Sequence, residues 1–362
     1  MTPILTASPS TAADIQEIVR QQPRLHVRGG GSKTALSTPP ADSLLLDLSG
    51  LRGLVEYEPA EYTFTAQAGT PVADIQAVLA KAGQYLPFDP PLAQAGATLG
   101  GIVAAGTSGP GRVRYGGVRD FLIGTRFVDG RGELLRGGGK VVKNAAGFDY
   151  PKLLVGSLGR LGILTEVTFK VFPEPPAYAT LAIACADLSA GLGHIASLNR
   201  SKFDINGLDC GPTPEGWMVW VRLGGFAAAL DEGMAALRTQ VGGGEILSDE
   251  ADASFWQGAN NFDWLSADAG LVKVPVTPGR IAGLETALPA SASRRYSVGG
   301  NLLWLGWEKP VVELDNLLSS HELSGLLLRG TSDSPWLGKR PGGAFLARVK
   351  AALDPDGKFG PL

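Results

Sequence analysis

A chain of 362 residues is too long for one ordinary domain and suits two or three, and its 44% hydrophobic and 19% charged residues describe a soluble globular protein. The net charge of −3, from 32 basic and 35 acidic side chains, leaves no basic footprint for nucleic acid. Two cysteines, Cys185 and Cys210, are too few for a disulfide framework or an iron–sulfur cluster and are expected as buried free thiols.

No apolar run is long enough to span a bilayer, and the N-terminus lacks the basic flank of a secretion signal, so a cytoplasmic protein is expected. The 50 glycines exceed the usual share about twofold without a Gly-X-Y period or low complexity. Glycine spent in clusters serves tight turns and places where backbone meets a ligand.

In chain order, Ser10 or Thr11 can cap a helix running to Gln21, with Ile15, Ile18 and Val19 on one face. Leu25–Arg28 reads as a short strand and Leu44–Leu48 as a buried one. Val55–Ala68 reads as a strand pair, with Tyr62, Phe64 and Ala66 alternating with polar positions. Pro71, Asp74, Lys81 and Gly83 signal the start and end of the next helix. Arg119–Arg136 reads as a hairpin about Asp129-Gly130. Ile163–Phe172 is a further strand, closed by a proline cluster at 173–176 that predicts a domain boundary. Beyond it, strand–helix–strand units are expected at Ala179–Ala184, Leu188–Asn199 and Trp217–Leu223, and a last helix at Ala344–Leu353.

Three glycine-dense segments carry the chemistry. The first, Arg28-Gly29-Gly30-Gly31-Ser32-Lys33, follows a strand, and consecutive glycines let backbone N–H groups converge on an anion. A flexible turn is the alternative. The second runs from Thr98 through Gly100, Gly101, Gly106, Thr107, Ser108 and Gly109 to Arg114, Tyr115 and Gly116, with Pro90-Pro91 ahead of it. Its small residues would let a flat ring lie against backbone. A packed Ala/Gly helix explains Ile102–Ala105 equally well, although not the flanking glycines and arginines. The third extends from Lys143 to Ile163, where Gly156, Gly159 and Gly162 recur at intervals of three. Alone, that spacing reports close backbone packing as readily as a ligand.

Together the three resemble the FAD-binding module of D-lactate dehydrogenases, glycolate oxidase flavin subunits and related FAD-linked oxidases, the vanillyl-alcohol-oxidase or PCMH-type superfamily. The run Lys-Asn-Ala-Ala-Gly-Phe-Asp at 143–149, Pro90-Pro91 and Asp354-Pro-Asp-Gly357 are especially similar to the smaller flavin subunits of bacterial glycolate oxidase complexes. The resemblance covers residues 20–175 and the tail, while 176–340 matches only in texture. It implies that Arg28–Lys33 grip the pyrophosphate of FAD and that Thr98–Ser108 line pyrophosphate and ring. It also implies that Val155, Gly156, Gly159, Gly162 and Ile163 contact the adenosine side and the ring.

The larger, substrate-oxidising subunits of that family carry a His-x-His and a Glu-His pair. This chain has three histidines, His26, His194 and His321, none paired, so no metal is expected and no catalytic residue is assigned. His26 is expected beside the cofactor loop. The loop has no histidine for covalent attachment, which predicts noncovalent FAD. Gly191-Leu-Gly-His-Ile-Ala196 matches a loose dinucleotide fingerprint but lacks a clean strand with an acidic terminus about twenty residues on, and reads as an Ala/Gly-rich helix. Arg294-Arg295-Tyr296 and Lys339-Arg340 could clamp a carboxylate; solvated surface charge is the favoured reading. Gly299–Trp304 reads as a strand of a cap domain.

The expected fold is α+β. A PCMH-type FAD-binding domain of two α/β subdomains fills 1–174, a cap with an antiparallel sheet fills 176–340, and 341–362 returns to the flavin domain. The resemblance implies a glycolate (2-hydroxyacid) oxidase subunit that works with a second flavin subunit and an iron–sulfur subunit, membrane-associated only through them. A stand-alone FAD-dependent dehydrogenase and a scaffold without flavin are the alternatives.

Overall fold

The structure, a computed structural model, describes residues 5–139, 148–340 and 343–362. The Lys143–Gly147 part of the third glycine segment lies outside the described residues. The chain divides into two compact units, one of Met1–Ser108, Gly116–Glu174 and Pro341–Leu362, the other of Gly109–Tyr115 and Pro175–Arg340.

In the first unit, a parallel sheet orders its strands Thr6–Ala7, Leu44–Asp47, Leu25–Arg28. The Ala12–Gln21 helix begins at Thr11, whose hydroxyl accepts from the Asp14 N–H at 3.1 Å while the Asp14 carboxylate accepts from the Thr11 N–H at 3.0 Å. That reciprocal pair is a capping box and fixes the helix start. Its apolar face buries Ile15 and Val19 against Leu25, Leu46 and Leu48.

The second sheet of this unit is antiparallel, ordered Leu54–Glu58, Thr63–Gln67, Ile163–Lys170, Leu122–Val128, Leu134–Gly138. Alternating burial along Ile163–Lys170 gives it one core face, where Phe169 stacks on Phe64 and Phe88 at 5.7 and 5.8 Å. The hairpin is shorter than expected: Val118–Phe121 forms a helical turn, started by the Asp120 carboxylate accepting from the Gly117 N–H at 2.8 Å. The tail folds onto this unit, with the Leu25 N–H donating to the Lys358 carbonyl at 2.8 Å.

The second unit is built on nine antiparallel strands, in spatial order Glu245–Ser248, Ala177–Cys185, Gly216–Gly225, Ile205–Thr213, Arg294–Ser297, Leu302–Trp307, Gly270–Pro275, Ser324–Arg329, Trp336–Gly338. Ile205–Thr213, unforeseen in the sequence, is central and buried over its first seven residues. Glycine, asparagine and proline hide it, yet the glycine is sterically required: a Cβ at Gly207 would stand 2.8 Å from the Trp256 indole. Gly299–Trp304 is likewise not one strand. Val298, Gly299 and Gly300 take φ of 56°, 62° and 81° and turn the chain from Arg294–Ser297 into Leu302–Trp307.

Arg294 and Arg295 are not solvated surface charge. Arg294 forks onto Glu285 at 2.7–2.9 Å, and Arg295 Nε donates to Asp209 at 2.6 Å with its guanidinium 4.7 Å from the Trp220 ring centroid and 4.8 Å from that of Phe255. A guanidinium tolerates burial when paired and stacked in this way. Lys339 is exposed and pairs with Glu322. Gly191 lies inside the Leu188–Leu198 helix, against the Cys210 sulfur. Both cysteines are free and buried. Among the described residues no helix is long and apolar enough to cross a membrane.

Candidate cofactor site

The loop after Leu25–Arg28 is shaped by what touches it. Arg28 donates to Asp47 on the neighbouring strand at 2.5 Å, which anchors the loop's first residue. A Cβ at Gly29 would stand 2.3 Å from the Thr98 hydroxyl oxygen, and one at Gly30 would stand 1.8 Å from the Gly96 carbonyl oxygen. Only glycine allows that approach, and Gly31 adds a positive φ of 72°. Among the described residues the N–H groups of Gly29, Gly30, Gly31 and Ser32 meet no acceptor. Successive unspent backbone donors of this kind suit an anion.

The second segment supplies the opposite wall. Thr98 caps the Leu99–Ala105 helix by accepting from the Gly101 N–H at 3.2 Å. Gly100 donates to the Ala68 carbonyl at 2.7 Å, where a Cβ would approach that alanine to 2.8 Å. Gly106 ends the helix with φ of 58°. The third segment is strapped beneath it, with Gly156 N–H on the Val103 carbonyl and Leu158 N–H on the Ala104 carbonyl, both at 2.9 Å.

One cleft therefore draws on all three segments. Of the residues expected to hold a cofactor, it is lined by Arg28, Gly29, Gly30, Gly31, Ser32, Lys33, Thr98, Gly100, Gly101, Gly159, Gly162 and Ile163. Pro90, Gly106, Thr107, Ser108, Gly116, Val155 and Gly156 stand outside its lining. Ser108 instead accepts from the Val118 N–H at 2.9 Å, and Gly116 packs on the Asp120 carboxylate with φ of 87°. Gly109, Arg114 and Tyr115 belong to the second unit, where Arg114 pairs with Asp204 at 3.3 Å and the Tyr115 hydroxyl accepts from Asn206. Sequence reasoning missed Val27, Leu36, Ala68 and Leu158 in the lining. Leu158 had one available signal, its place between glycines, since it adopts φ of 53°.

Electrostatically the cleft favours an anion. Among the described residues, no carboxylate lines it. Lys33 is only 5% exposed, and burial lowers its ammonium pKa to about 8. Nothing among the described residues pairs with that ammonium. His26 lies on the strand leading in, with Nε2 3.1 Å from the Leu36 carbonyl. Burial lowers its pKa, so at neutral pH Nε2 carries the proton and donates. Thr107 Oγ1 and Ser157 Oγ are buried without a partner among the described residues. The described residues contain no group of three or more His, Cys, Asp or Glu side chains placed to hold a metal.

A glycine cradle, four unspent N–H donors, a buried ammonium and no facing carboxylate fit the diphosphate of a dinucleotide. Residues 3–138 match the family model described as the FAD binding domain. This part of the chain is similar to PCMH-type FAD-linked oxidases. FAD is its cofactor.

The chain is 38% identical over 67% of its length to glycolate oxidase subunit GlcE of Escherichia coli K12, covering 65% of that protein. It is 31% identical over 48% of its length to glycolate oxidase subunit GlcD of Bacillus subtilis, and 30% identical over 50% to D-2-hydroxyglutarate dehydrogenase of Xanthomonas citri pv. viticola. It covers 37% and 39% of those two, so it spans less than two thirds of each of these curated relatives. Alkyldihydroxyacetonephosphate synthase has the same fold: 98% of the chain superposes on 75% of that enzyme with a TM-score of 0.70 at 17% identity. The α+β class of this FAD-linked oxidase architecture is thus the fold of the chain.

Proposed function

We propose that this protein is an FAD-binding subunit of a glycolate (2-hydroxyacid) oxidase complex, holding FAD noncovalently and supporting oxidation of glycolate to glyoxylate. The observation that carries the reading is the resemblance to subunit GlcE over 67% of the chain, joined to a cleft built for a diphosphate. In this reading residues 1–174 form the flavin domain, 176–340 the cap, and 341–362 return to the flavin domain. A second flavin subunit and an iron–sulfur subunit are its partners, and the complex works in the cytoplasm or against the membrane through those partners.

When bound, FAD supplies two-electron acceptance from a CH–OH group. The chain's own residues bind and orient. The Gly29–Ser32 N–H groups and Lys33 hold the diphosphate, and Thr98, Gly100 and Gly101 let the cofactor lie against backbone. Among the described residues, those lining this cleft include no histidine or carboxylate to remove a substrate proton. That supports an electron-relaying or supporting role over independent catalysis.

The test is anaerobic mixing of the isolated yellow protein with glycolate or D-lactate. Under this reading the flavin spectrum persists with this chain alone and bleaches when the partner subunits are added. Bleaching of the isolated chain would instead identify a stand-alone 2-hydroxyacid dehydrogenase.

A further inference from the structure

Lys33 stands apart from the other cations around the cofactor cleft. It is 5% exposed, it lines the cleft, and it has no ion-pair or hydrogen-bond partner for its ammonium among the described residues. Arg28, the other cation in the lining, already has Asp47. A buried charge without a partner is strongly unfavourable, so an ammonium in this position is a site completed by an arriving anion.

We propose that Lys33 is the counter-charge to the FAD diphosphate and that the cofactor binds to its protonated form, so that flavin binding takes up a proton. The inference rests on the flavin reading above and adds a proton-linked residue to it.

Among the described residues around the cleft, Lys33 is the buried cation without a partner. His26 and Arg28 lie on the strand ahead of its loop, the first held neutral by burial and the second paired with Asp47. Arg160 lies in the loop between Leu158 and Gly162, where its carbonyl accepts from the Lys350 ammonium. On Ile163–Lys170, Glu166 is paired with Arg126 and Lys170 sits over the Phe121 ring. The Leu99–Ala105 helix carries no ionisable side chain. With Lys33 depressed to about 8 by burial, the free protein is mostly ammonium at pH 7 and mostly amine at pH 9.

The experiment is calorimetric titration of FAD into the flavin-free full chain at pH 7, 8 and 9, in two buffers of different ionisation enthalpy, with wild type and Lys33→Met. Wild type should take up about half a proton per FAD at pH 8 and lose up to about tenfold in affinity per pH unit above it. Lys33→Met should bind at least about tenfold more weakly at pH 7, with no proton uptake and a flat pH profile. If the methionine variant does not fold, proton uptake by the wild type alone decides. FAD binding without proton uptake, or equally tight binding by the variant, overturns the role of Lys33 and leaves the cofactor standing. Absence of FAD binding by folded wild type overturns the cofactor reading and this inference together.

Discussion

Gly30 lies so close to Gly96 that a Cβ on the first would stand 1.8 Å from the carbonyl oxygen of the second. The contact joins the Gly29–Lys33 loop to the turn ahead of the Leu99–Ala105 helix, so the two walls of the cleft are set by backbone rather than side chains. Gly30→Ala should therefore force the walls apart. It is expected to weaken FAD by at least about tenfold and to destabilise the fold by roughly 1–3 kcal/mol, the usual range for overpacking. FAD titration and denaturant unfolding of the same variant check both.

Gly193 is the contrasting case. It lies within the Leu188–Leu198 helix and a Cβ there would meet nothing within 4 Å. Gly193→Ala should stabilise the protein by up to about 1 kcal/mol through helix propensity alone, with FAD affinity unchanged. A fall in unfolding midpoint would show that the helix is constrained in some other way.

The depressed Lys33 ammonium also has a stability signature. In the flavin-free fold it titrates at about 8, against an ordinary 10.5 when unfolded. Below pH 8 both states carry the proton, and the fold bears a burial penalty of roughly 3 kcal/mol. Between the two values the unfolded chain holds more protons, so stability rises with pH there. Bound FAD offsets the penalty only where Lys33 is charged. The melting-temperature gain from saturating FAD should thus be larger at pH 7 than at pH 9.5, and Lys33→Met should lose the difference.

In the second unit, Asp252 is 1% exposed and accepts from Arg222 at 2.9 and 2.6 Å and from the Thr180 hydroxyl at 2.6 Å. Removing it strands a half-buried guanidinium. Asp252→Ala should cost about 3–5 kcal/mol, the range for breaking one side of a buried pair. Thermal unfolding measures it.

Much of the site was legible in the sequence because its specificity is steric. Where backbone must approach backbone, only glycine serves, and clusters such as Gly29–Gly31 and Gly100-Gly101 stand out by composition. The capped helix from Thr11 was legible for a similar reason: its end is a local hydrogen-bonding pattern in consecutive residues. What stayed hidden depends on distant partners. Ile205–Thr213 looks like a loop until Trp256 and the flanking strands are placed against it. Arg294 and Arg295 look like surface charge until Glu285, Asp209 and the aromatic rings are found around them. Arg114 and Tyr115 sit in a glycine-rich run, yet they fold with Asp204 and Asn206, some ninety residues on.

The central claim is tested most directly by the flavin-to-polypeptide ratio after FAD-loaded protein is gel-filtered and then precipitated with acid. About one FAD per chain should survive filtration, and all of it should pass to the supernatant on precipitation, since among the described residues no histidine or cysteine lines the cleft. A colourless filtered protein, or flavin that stays with the pellet, would contradict a noncovalent diphosphate cradle built from Gly29–Lys33.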